Sequence, residues 1–181
     1  MMAERTIFAG FGGQGVMLMG QLLTTAGMTE GKHVSWLPSY GPEMRGGTAN
    51  CSVMVDDKPI GSPIVAHNAT SIVVMNQPSL YKFEEDLIEG GICLINSSLI
   101  SAKPDREDVK AYYVPSNELA AELGNPRVAN IVMLGALVEL TGCVSKESIL
   151  GALAKLLGPT KAHLMEINEK AFEKGAEAVR N

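Results

Sequence analysis

Short apolar runs alternate with longer segments whose apolar residues recur every three or four positions, and this alternation predicts strands and helices in turn. The short runs, which are rich in β-branched residues and bounded by glycine, proline and polar residues, predict strands at 6–10, 32–37, 49–55, 71–76, 92–96 and 109–114. The periodic segments predict helices at 14–31, 78–89, 116–123, 126–141, 145–157 and 160–179. Such alternation is typical of an α/β fold.

The connection after the third strand decides how the sheet is wound. Residues 56–59, Asp-Asp-Lys-Pro, predict a tight turn that brings the chain back toward Ile60 as a hairpin. A hairpin among crossover units predicts a mixed, mainly parallel sheet. No repeat and no linker interrupts the pattern. We therefore expect residues 1–181 to form a single three-layer α/β/α domain with a Rossmann-like first βα unit.

Composition narrows the possible functions. The 181-residue chain is 46% hydrophobic and 19% charged, which is typical of a packed globular protein. A net charge of −5, acids and bases mixed along the sequence and an aromatic content of 5% argue against a nucleic-acid partner. The apolar runs are far shorter than the ~20 residues that span a bilayer, and the N-terminal run meets glycines too early for a signal peptide. We therefore expect a cytoplasmic protein without a membrane partner.

The cysteines limit the metal and redox chemistry available to the chain. Cys51, Cys93 and Cys143 are far apart and form no C-x-x-C motif, whereas a cluster held by cysteines needs four thiolates. The histidines show no ligand spacing that could complete such a site. Unpaired cysteines fit a reducing compartment. We expect no metal site, and no His–carboxylate or Cys–His pair marks a catalytic residue.

A glycine-rich turn, residues 10–15, lies between the first strand and the first helix. Such a turn lets backbone approach a ligand and points N–H groups and the positive helix end toward it. Gly10, Gly12 and Gly15 match the dinucleotide pattern G-x-G-x-x-G. A nicotinamide site also uses an acid at the end of the second strand, and this strand runs into Pro38 without one. A dinucleotide site, another ligand and a tight turn without ligand all remain open.

A second shaped segment, residues 39–48, follows the second strand. Three glycines and one proline surround a single base, Arg45, and a single acid, Glu43. The carboxyl end of such a strand is where open α/β sheets bind ligands, so we expect this segment and the glycine turn to form one surface. Arg45 could pair with a carboxylate or phosphate, with Glu43 and Tyr40 positioning it. The alternative is a rigid turn whose charged residues are solvated.

The helix predicted at 126–141 is apolar nearly all round, which indicates burial in the core or against another subunit. Asn130 lies in its first turns. A buried amide needs hydrogen-bond partners, because an unpaired one costs about 1–3 kcal/mol. The N-terminal end of this helix could face the sheet edge that carries the glycine turn. An Asn130 side chain bonded to a neighbouring loop carbonyl is the alternative.

Four stretches, taken together and in order, resemble one known family. They are 11–16 (FGGQGV), 39–47 (SYGPEMRGG), 61–63 (GSP) and 130–135 (NIVMLG). The chain resembles, over nearly its whole length, the gamma subunit of the 2-oxoacid:ferredoxin oxidoreductases. The resemblance implies an enzyme complex that oxidatively decarboxylates a 2-oxoacid on thiamine diphosphate. The acyl group then passes to coenzyme A, and the electrons pass through iron–sulfur clusters to ferredoxin.

The resemblance also implies where the cofactors lie. Thiamine diphosphate with Mg and the iron–sulfur clusters belong to alpha, beta and ferredoxin-like delta partners, and this chain alone holds none. The isolated chain is then expected to be inactive and to contribute loops that contact a ligand or a partner. These are Gly10, Gly12, Gly13, Gln14, Gly15, Ser39, Tyr40, Gly41, Pro42, Glu43, Arg45, Gly46, Gly47 and Asn130. A stand-alone nucleotide-binding enzyme and a purely structural scaffold subunit are the alternatives. The 2-oxoacid is open between pyruvate, 2-oxoglutarate and branched-chain acids, with the last two favoured.

Overall fold

The computed structural model describes residues 3–40 and 48–180, which form a six-stranded sheet with helices on both faces. The strands are β1 (Glu4–Phe11), β2 (His33–Tyr40), β3 (Thr48–Asp56), β4 (Ala69–Val74), β5 (Leu87–Asn96) and β6 (Lys110–Val114). The helices are α1 (Val16–Thr29), α2 (Gln77–Phe83), α3 (Ser116–Glu122), α4 (Ala129–Thr141), α5 (Lys146–Leu157) and α6 (Met165–Ala178). Short 3-10 turns cover Glu84–Asp86, Pro126–Val128 and Pro159–Leu164.

The sheet order is β2-β3-β1-β4-β5-β6. β3 pairs antiparallel with both β1 and β2, while β1, β4, β5 and β6 pair parallel in succession. The predicted α/β fold with a mixed, mainly parallel sheet is therefore confirmed. The chain winds from β1 toward β2 on one side and from β4 toward β5 on the other, so the winding reverses between β1 and β4.

The prediction of a hairpin between the third strand and Ile60 is wrong. Residues 57–68 contain no strand, and β3 instead forms a hairpin with the preceding strand β2. Pro59 and Pro63 lack the backbone N–H that a ladder needs, which disfavours a strand at Ile60. β2 also continues to Tyr40 rather than ending at 37, because an edge strand tolerates the proline at Pro38.

The predicted helix over 78–89 was too long. α2 ends at Phe83, and β5 begins at Leu87. Gly90 and Gly91, which come directly after the predicted helix, lie within β5, where Gly90 has φ 73°. The register against β4 shifts at this point, between Ala69 and Ser71. The glycines therefore form an irregularity in a strand, a role that glycine fills as readily as a helix stop.

Two apolar layers enclose the sheet. Alternation along β1 places Phe8 in the layer formed with α1, α3, α4, α5 and α6, and places Ile7 and Ala9 in the layer formed with α2. α4 is buried over most of its length, as its sequence predicts. Its neighbour α6 approaches so closely that a Cβ on Gly175 would lie 1.7 Å from the Val132 carbonyl oxygen. This packing fixes the start of α4 beside the glycine turn.

Candidate functional site

The glycine turn is held together by its glutamine. The Gln14 amide donates to the Phe11 carbonyl (3.2 Å), and the Phe11 amide donates to Gln14 Oε1 (2.6 Å). Gln14 Nε2 donates in turn to the carbonyl of Met75 (3.1 Å), the residue that follows β4. A single side chain therefore ties together the ends of two parallel strands. This explains why a half-buried glutamine stands between Gly13 and Gly15 in the turn.

The glycines of the turn serve different purposes. A Cβ on Gly10 would lie 2.8 Å from Met75 Cβ and 2.7 Å from Gln14 Oε1, so this position requires close approach. Gly13 and Gly15 have φ of 90° and 79°, in the left-handed region that favours glycine. Gly12 is exposed. Together they allow β1 to turn sharply into α1.

The N-terminus of α1 carries no side-chain cap. Gly15 is the N-cap residue, it offers no side-chain hydrogen bond, and the first turn of the helix contains no acid. The first backbone N–H groups of a helix have no partner within the helix, and they form its positive end. The glycine turn thus leaves hydrogen-bond donors at the end of β1.

Asn130 lies directly on this turn. A Cβ on Gly15 would lie 2.3 Å from Asn130 Nδ2, so the amide occupies the space that any other residue at 15 would need. Asn130 is 5% exposed, and its Oδ1 accepts from the Ile131 amide (3.0 Å). Its Nδ2 has no hydrogen-bond partner within residues 3–40 and 48–180. The alternative prediction, in which the Asn130 amide donates to a loop carbonyl, is therefore not met among these residues. The start of α4 therefore faces the glycine turn.

These groups line a cleft of about 420 Å³ at the carboxyl ends of β1 and β4. This is the point where the winding of the sheet reverses, the usual ligand position in open α/β sheets. The lining contains one cation, Arg127, and no acid. The lining residues are Gly13, Gln14, Gly15, Leu18, Met75, Asn117, Pro126, Arg127, Ala129 and Asn130.

Six of the lining residues, among them Met75, Asn117 and Arg127, were not among the sequence candidates. Asn117 follows β6, and its Oδ1 accepts from Asn96 Nδ2 (2.8 Å) at the end of β5. Met75 follows β4 and Arg127 precedes α4. The position of Met75 and Asn117 just after predicted parallel strands could have identified them. Nothing in the sequence distinguishes Arg127, because its position depends on the packing of α4.

The 39–48 segment meets the sheet at the same edge. Thr48 pairs with Phe11, Tyr40 pairs with Ala49, and Ser39, an exposed residue, pairs with Asn50. The chain therefore leaves β2 and enters β3 beside the glycine turn. The remaining candidates of this segment lie outside the described residues. They are Gly41, Pro42, Glu43, Arg45, Gly46 and Gly47.

The sheet order removes the usual ribose contact of a dinucleotide site. In that site the strand beside β1 ends in an acid. Here β3 lies between β1 and β2, so the end of β2 is two strand spacings, roughly 10 Å, from the glycine turn. The helix also begins after the third glycine of the pattern, which is its N-cap rather than part of its first turn. The sequence therefore matches the G-x-G-x-x-G pattern, but the strand order and the start of the helix differ from those of a dinucleotide site.

The thiols of the chain are unsuited to nucleophilic or metal chemistry. Cys51, Cys93 and Cys143 are buried and unpaired. Burial raises the pKa of Cys51 and Cys143 to about 11 and that of Cys93 to about 12, so the reactive thiolate is disfavoured. Within the described ranges, no three His, Cys, Asp or Glu residues group as metal ligands.

No described helix is long and apolar enough to cross a membrane.

The fold and cleft define a doubly wound α/β domain with a donor-rich cleft in place of a dinucleotide site. The family model described as pyruvate ferredoxin/flavodoxin oxidoreductase matches residues 5–178, and the chain belongs to this family. It is 38% identical over 182 residues to the 2-oxoglutarate synthase subunit KorC of Methanocaldococcus jannaschii, covering 99% of this chain and 95% of that one.

Two further relatives extend the comparison. The ketoisovalerate oxidoreductase subunit VorA of Methanothermobacter thermautotrophicus is 42% identical over 178 residues, which is 97% of this chain and 36% of that protein. The chain therefore spans about a third of that relative. The crystal structure of a keto/oxoacid ferredoxin oxidoreductase gamma subunit from Geobacter sulfurreducens has a TM-score of 0.82 and 33% identity, and the match covers 97% of each chain.

Proposed function

We propose that this chain is the gamma subunit of a thiamine-diphosphate-dependent 2-oxoacid:ferredoxin oxidoreductase. The complex would convert a 2-oxoacid and coenzyme A to acyl-CoA and CO2 and reduce ferredoxin. The observation that carries this proposal is the end-to-end match to KorC, since the chain covers 95% of a relative that is itself named as one subunit of a 2-oxoacid enzyme. Residues 1–181 would then constitute one gamma domain.

The cofactors of the reaction are assigned to partner chains. The three cysteines are buried in β3, in β5 and in the turn after α4, so the described residues do not fit an iron–sulfur cluster. Thiamine diphosphate with Mg and the clusters would belong to alpha, beta and ferredoxin-like delta subunits, and ferredoxin would accept the electrons. The unpaired cysteines support a cytoplasmic location. KorC and VorA favour 2-oxoglutarate or a branched-chain 2-oxoacid as substrate.

The contribution of this chain would come from the two loops at one sheet edge. The glycine turn with Asn130 forms one half of that surface, and the 39–48 segment enters beside it. Glu43 and Arg45 would be presented to the shared active site, to the path of coenzyme A or to a partner subunit. No residue of this chain is assigned a catalytic role.

Co-purification tests the proposal. The tagged chain is expressed alone and together with candidate alpha, beta and delta chains encoded beside it. Alone it should be colourless and should not reduce viologen with any 2-oxoacid. The co-expressed complex should contain iron and thiamine diphosphate and should turn over one 2-oxoacid with coenzyme A. Oxidation by the isolated chain supplied with thiamine diphosphate, or failure to associate with any such partner, would contradict the proposal.

A stand-alone nucleotide-binding enzyme is the competing function, and it makes an opposite prediction. Because β3 separates β1 from the end of β2, the isolated chain should bind neither NAD nor NADP at millimolar concentration. Calorimetric titration measures this directly. A micromolar dissociation constant for either dinucleotide would favour the competing function. A scaffold role differs in that variants of the two loops would impair assembly without changing the turnover of assembled complex.

A further inference from the structure

The segment that joins β3 to β4, residues 57–68, lies at the opposite end of the sheet from the glycine turn. β1 runs from Glu4 to Phe11, so its two ends are roughly 25 Å apart. Residues 61–63, one of the four stretches on which the family resemblance rests, belong to this segment and do not line the cleft. Their role is therefore separate from that of the cleft.

The 57–68 segment is exposed, although hydrogen bonds hold its shape. Ser62 Oγ accepts from the Ile64 amide (3.3 Å), and Asn68 Oδ1 accepts from the Ala66 amide (3.1 Å). Pro63 is exposed, and Ile64 is 61% exposed. A preformed segment loses little conformational freedom on binding, and exposed apolar side chains add contact area. These properties are suited to a protein partner.

Gly61 provides the observation that indicates a partner. Its φ lies outside the left-handed region, and a Cβ added there would meet no atom within 4 Å. The chain itself therefore has room for a larger residue at this position, whereas Gly15 and Gly175 are required by their own surroundings. A glycine also permits the close approach of another backbone. A partner chain that runs directly over Gly61 would explain it.

A pocket of about 230 Å³ opens between this segment and the sheet. Its volume is below the roughly 300–1,000 Å³ typical of small-molecule sites, so it suits a single side chain of a partner. Met54, Ile60 and Ile64 form the apolar part of its lining. Arg5 and Asp56 add one charge of each sign, which polar groups beside the inserted side chain would meet.

We propose that residues 59–64 and this pocket dock a partner chain, whose backbone crosses Gly61 and whose apolar side chain enters the pocket. The partner assigned is the chain that corresponds to the rest of VorA. The match covers 36% of VorA, so in that relative the matched part is continuous with a further stretch of about two thirds of the length. Where the two are separate chains, a noncovalent surface must hold them together. The inference rests on the proposed function, which makes this chain one subunit of such a complex.

Gly61→Leu tests the close approach, with Gly151→Leu as its matched control. A Cβ on Gly151 likewise meets nothing within 4 Å, and α5 packs on the sheet face opposite to Val65 of the segment. Both variants should unfold thermally like the wild type in isolation. In the co-expressed complex Gly61→Leu should weaken association with the partner by about tenfold or more, because its side chain fills the space of the partner's backbone. Gly151→Leu should associate normally. Unchanged association of Gly61→Leu would overturn the proposal.

Labelling of one introduced thiol locates the contact. Cys51, Cys93 and Cys143 are buried, so a maleimide should react with Ser62→Cys and leave the native thiols unmodified. Ala154→Cys, at an exposed position on α5, is the control. In the assembled complex Ser62→Cys should react about tenfold more slowly than in the isolated chain, because packed interfaces exclude the reagent, and Ala154→Cys should react equally fast. Equal rates for Ser62→Cys in both states, or equal protection of both thiols, would overturn the proposal.

Two further measurements identify the occupant. Lys58 is exposed but does not line the pocket, so Lys58→Ala should change association by less than about twofold. Light scattering measures the oligomeric state of the isolated chain. Wild-type dimers that Gly61→Leu dissociates would make a second copy the occupant and overturn the assignment. Failure of the wild-type chain to associate with any candidate partner would contradict the proposed function itself, whereas a complex that tolerates Gly61→Leu contradicts only the docking surface.

Discussion

Gly15 illustrates how one residue meets two demands. Its φ of 79° favours glycine, and a Cβ there would lie 2.3 Å from Asn130 Nδ2. Gly31, just beyond α1, shares the first demand with φ 74° but has open space around it. The two positions therefore separate backbone strain from the loss of the contact with Asn130.

Substitution to alanine at these two glycines should give unequal losses of stability. Gly31→Ala is expected to cost about 1 kcal/mol, the strain of a left-handed residue. Gly15→Ala should cost about 2–4 kcal/mol, because the Asn130 side chain must also move within a packed surrounding. Urea denaturation of the isolated chain measures both. Equal losses would mean that the Asn130 side chain moves aside freely and that its contact with the turn contributes little to stability.

Glu30 connects the end of α1 to the start of α5. Its Oε1 accepts from the Ser145 amide (2.6 Å), and its Oε2 lies 3.3 Å from Lys32 Nζ. Burial raises the pKa of the Glu30 carboxyl, but hydrogen bonds, first from the Ser145 amide and then from nearby hydroxyl and ammonium groups, outweigh it and lower the pKa to about 2. The ionised form is therefore favoured by folding.

A depressed carboxyl pKa stabilises the fold above its unfolded value and loses that contribution as the pH falls through the folded value. Glu30 should therefore contribute fully above a pH of about 4.5 and lose this contribution as the pH falls through about 2. Glu30→Gln is expected to cost about 1–2 kcal/mol at pH 7, with the difference from wild type vanishing toward pH 2. Unfolding curves across this range measure it. Glu166→Gln, which removes an exposed i,i+4 pair with Lys170, serves as the control and should change little. A pH-independent Glu30→Gln effect would contradict the assignment.

At the scale of the elements, two glycines bring α4 and α6 into backbone contact. A Cβ on Gly135 would lie 2.0 Å from the Phe172 carbonyl oxygen, and one on Gly175 would lie 1.7 Å from that of Val132. Because these neighbours are backbone atoms, no side-chain rotation can make room. Gly135 belongs to the 130–135 stretch that resembles the family, so this part of the motif has a packing explanation.

Alanine at either of these positions should force the helices apart. Gly175→Ala and Gly135→Ala are each expected to cost about 2–4 kcal/mol. Gly151→Ala on α5, where nothing lies within 4 Å, should instead stabilise the chain by about 0.5–1 kcal/mol through helix propensity. Denaturation of the three variants under one condition decides the matter. A mild effect at Gly175 would show that α6 can shift away without loss.

The elements also show where sequence reasoning succeeds. Runs such as 71–76 and the all-round apolar segment at 126–141 were predicted because local composition alone specifies them. The strands that pair with β3 were not predicted, because strand pairing depends on the whole sheet. The turn at 56–59 can be followed by a strand, a helix or a loop. The end of the predicted helix 78–89 is wrong for a similar reason, since a left-handed glycine such as Gly90 ends a helix and bends a strand equally well.

At the scale of the molecule, the candidate site was predicted in part. The glycine turn is visible in sequence, and a position of the start of α4 at the same sheet edge was left open beside a loop-carbonyl partner for Asn130. Arg127 and Asn117 reach the cleft only through the packing of α3 and α4, which no local pattern encodes. The role of the whole surface depends on partner chains, so its decisive tests require the assembled complex.

Arg45 is the candidate whose role only the complex can reveal. It lies outside the described residues, within the segment that joins β2 to β3 beside the glycine turn. We expect Arg45 to pair with a carboxylate or phosphate through its planar fork, which lysine cannot reproduce. Arg45→Ala should then cost about 2–5 kcal/mol in assembly or in transition-state binding, and Arg45→Lys should recover little of it.

Two readouts on reconstituted complex separate these roles, namely subunit association and turnover dependent on 2-oxoacid and coenzyme A. Lost turnover with intact assembly would place Arg45 at the shared active site, whereas lost assembly would make it an interface anchor. Lys58→Ala, which removes an exposed cation just after β3, at the end of the strands away from the glycine turn, should leave both unchanged. Wild-type behaviour of both Arg45 variants would identify the segment as a solvated turn, and the contribution of this subunit would then have to come from the cleft formed by the glycine turn and α4.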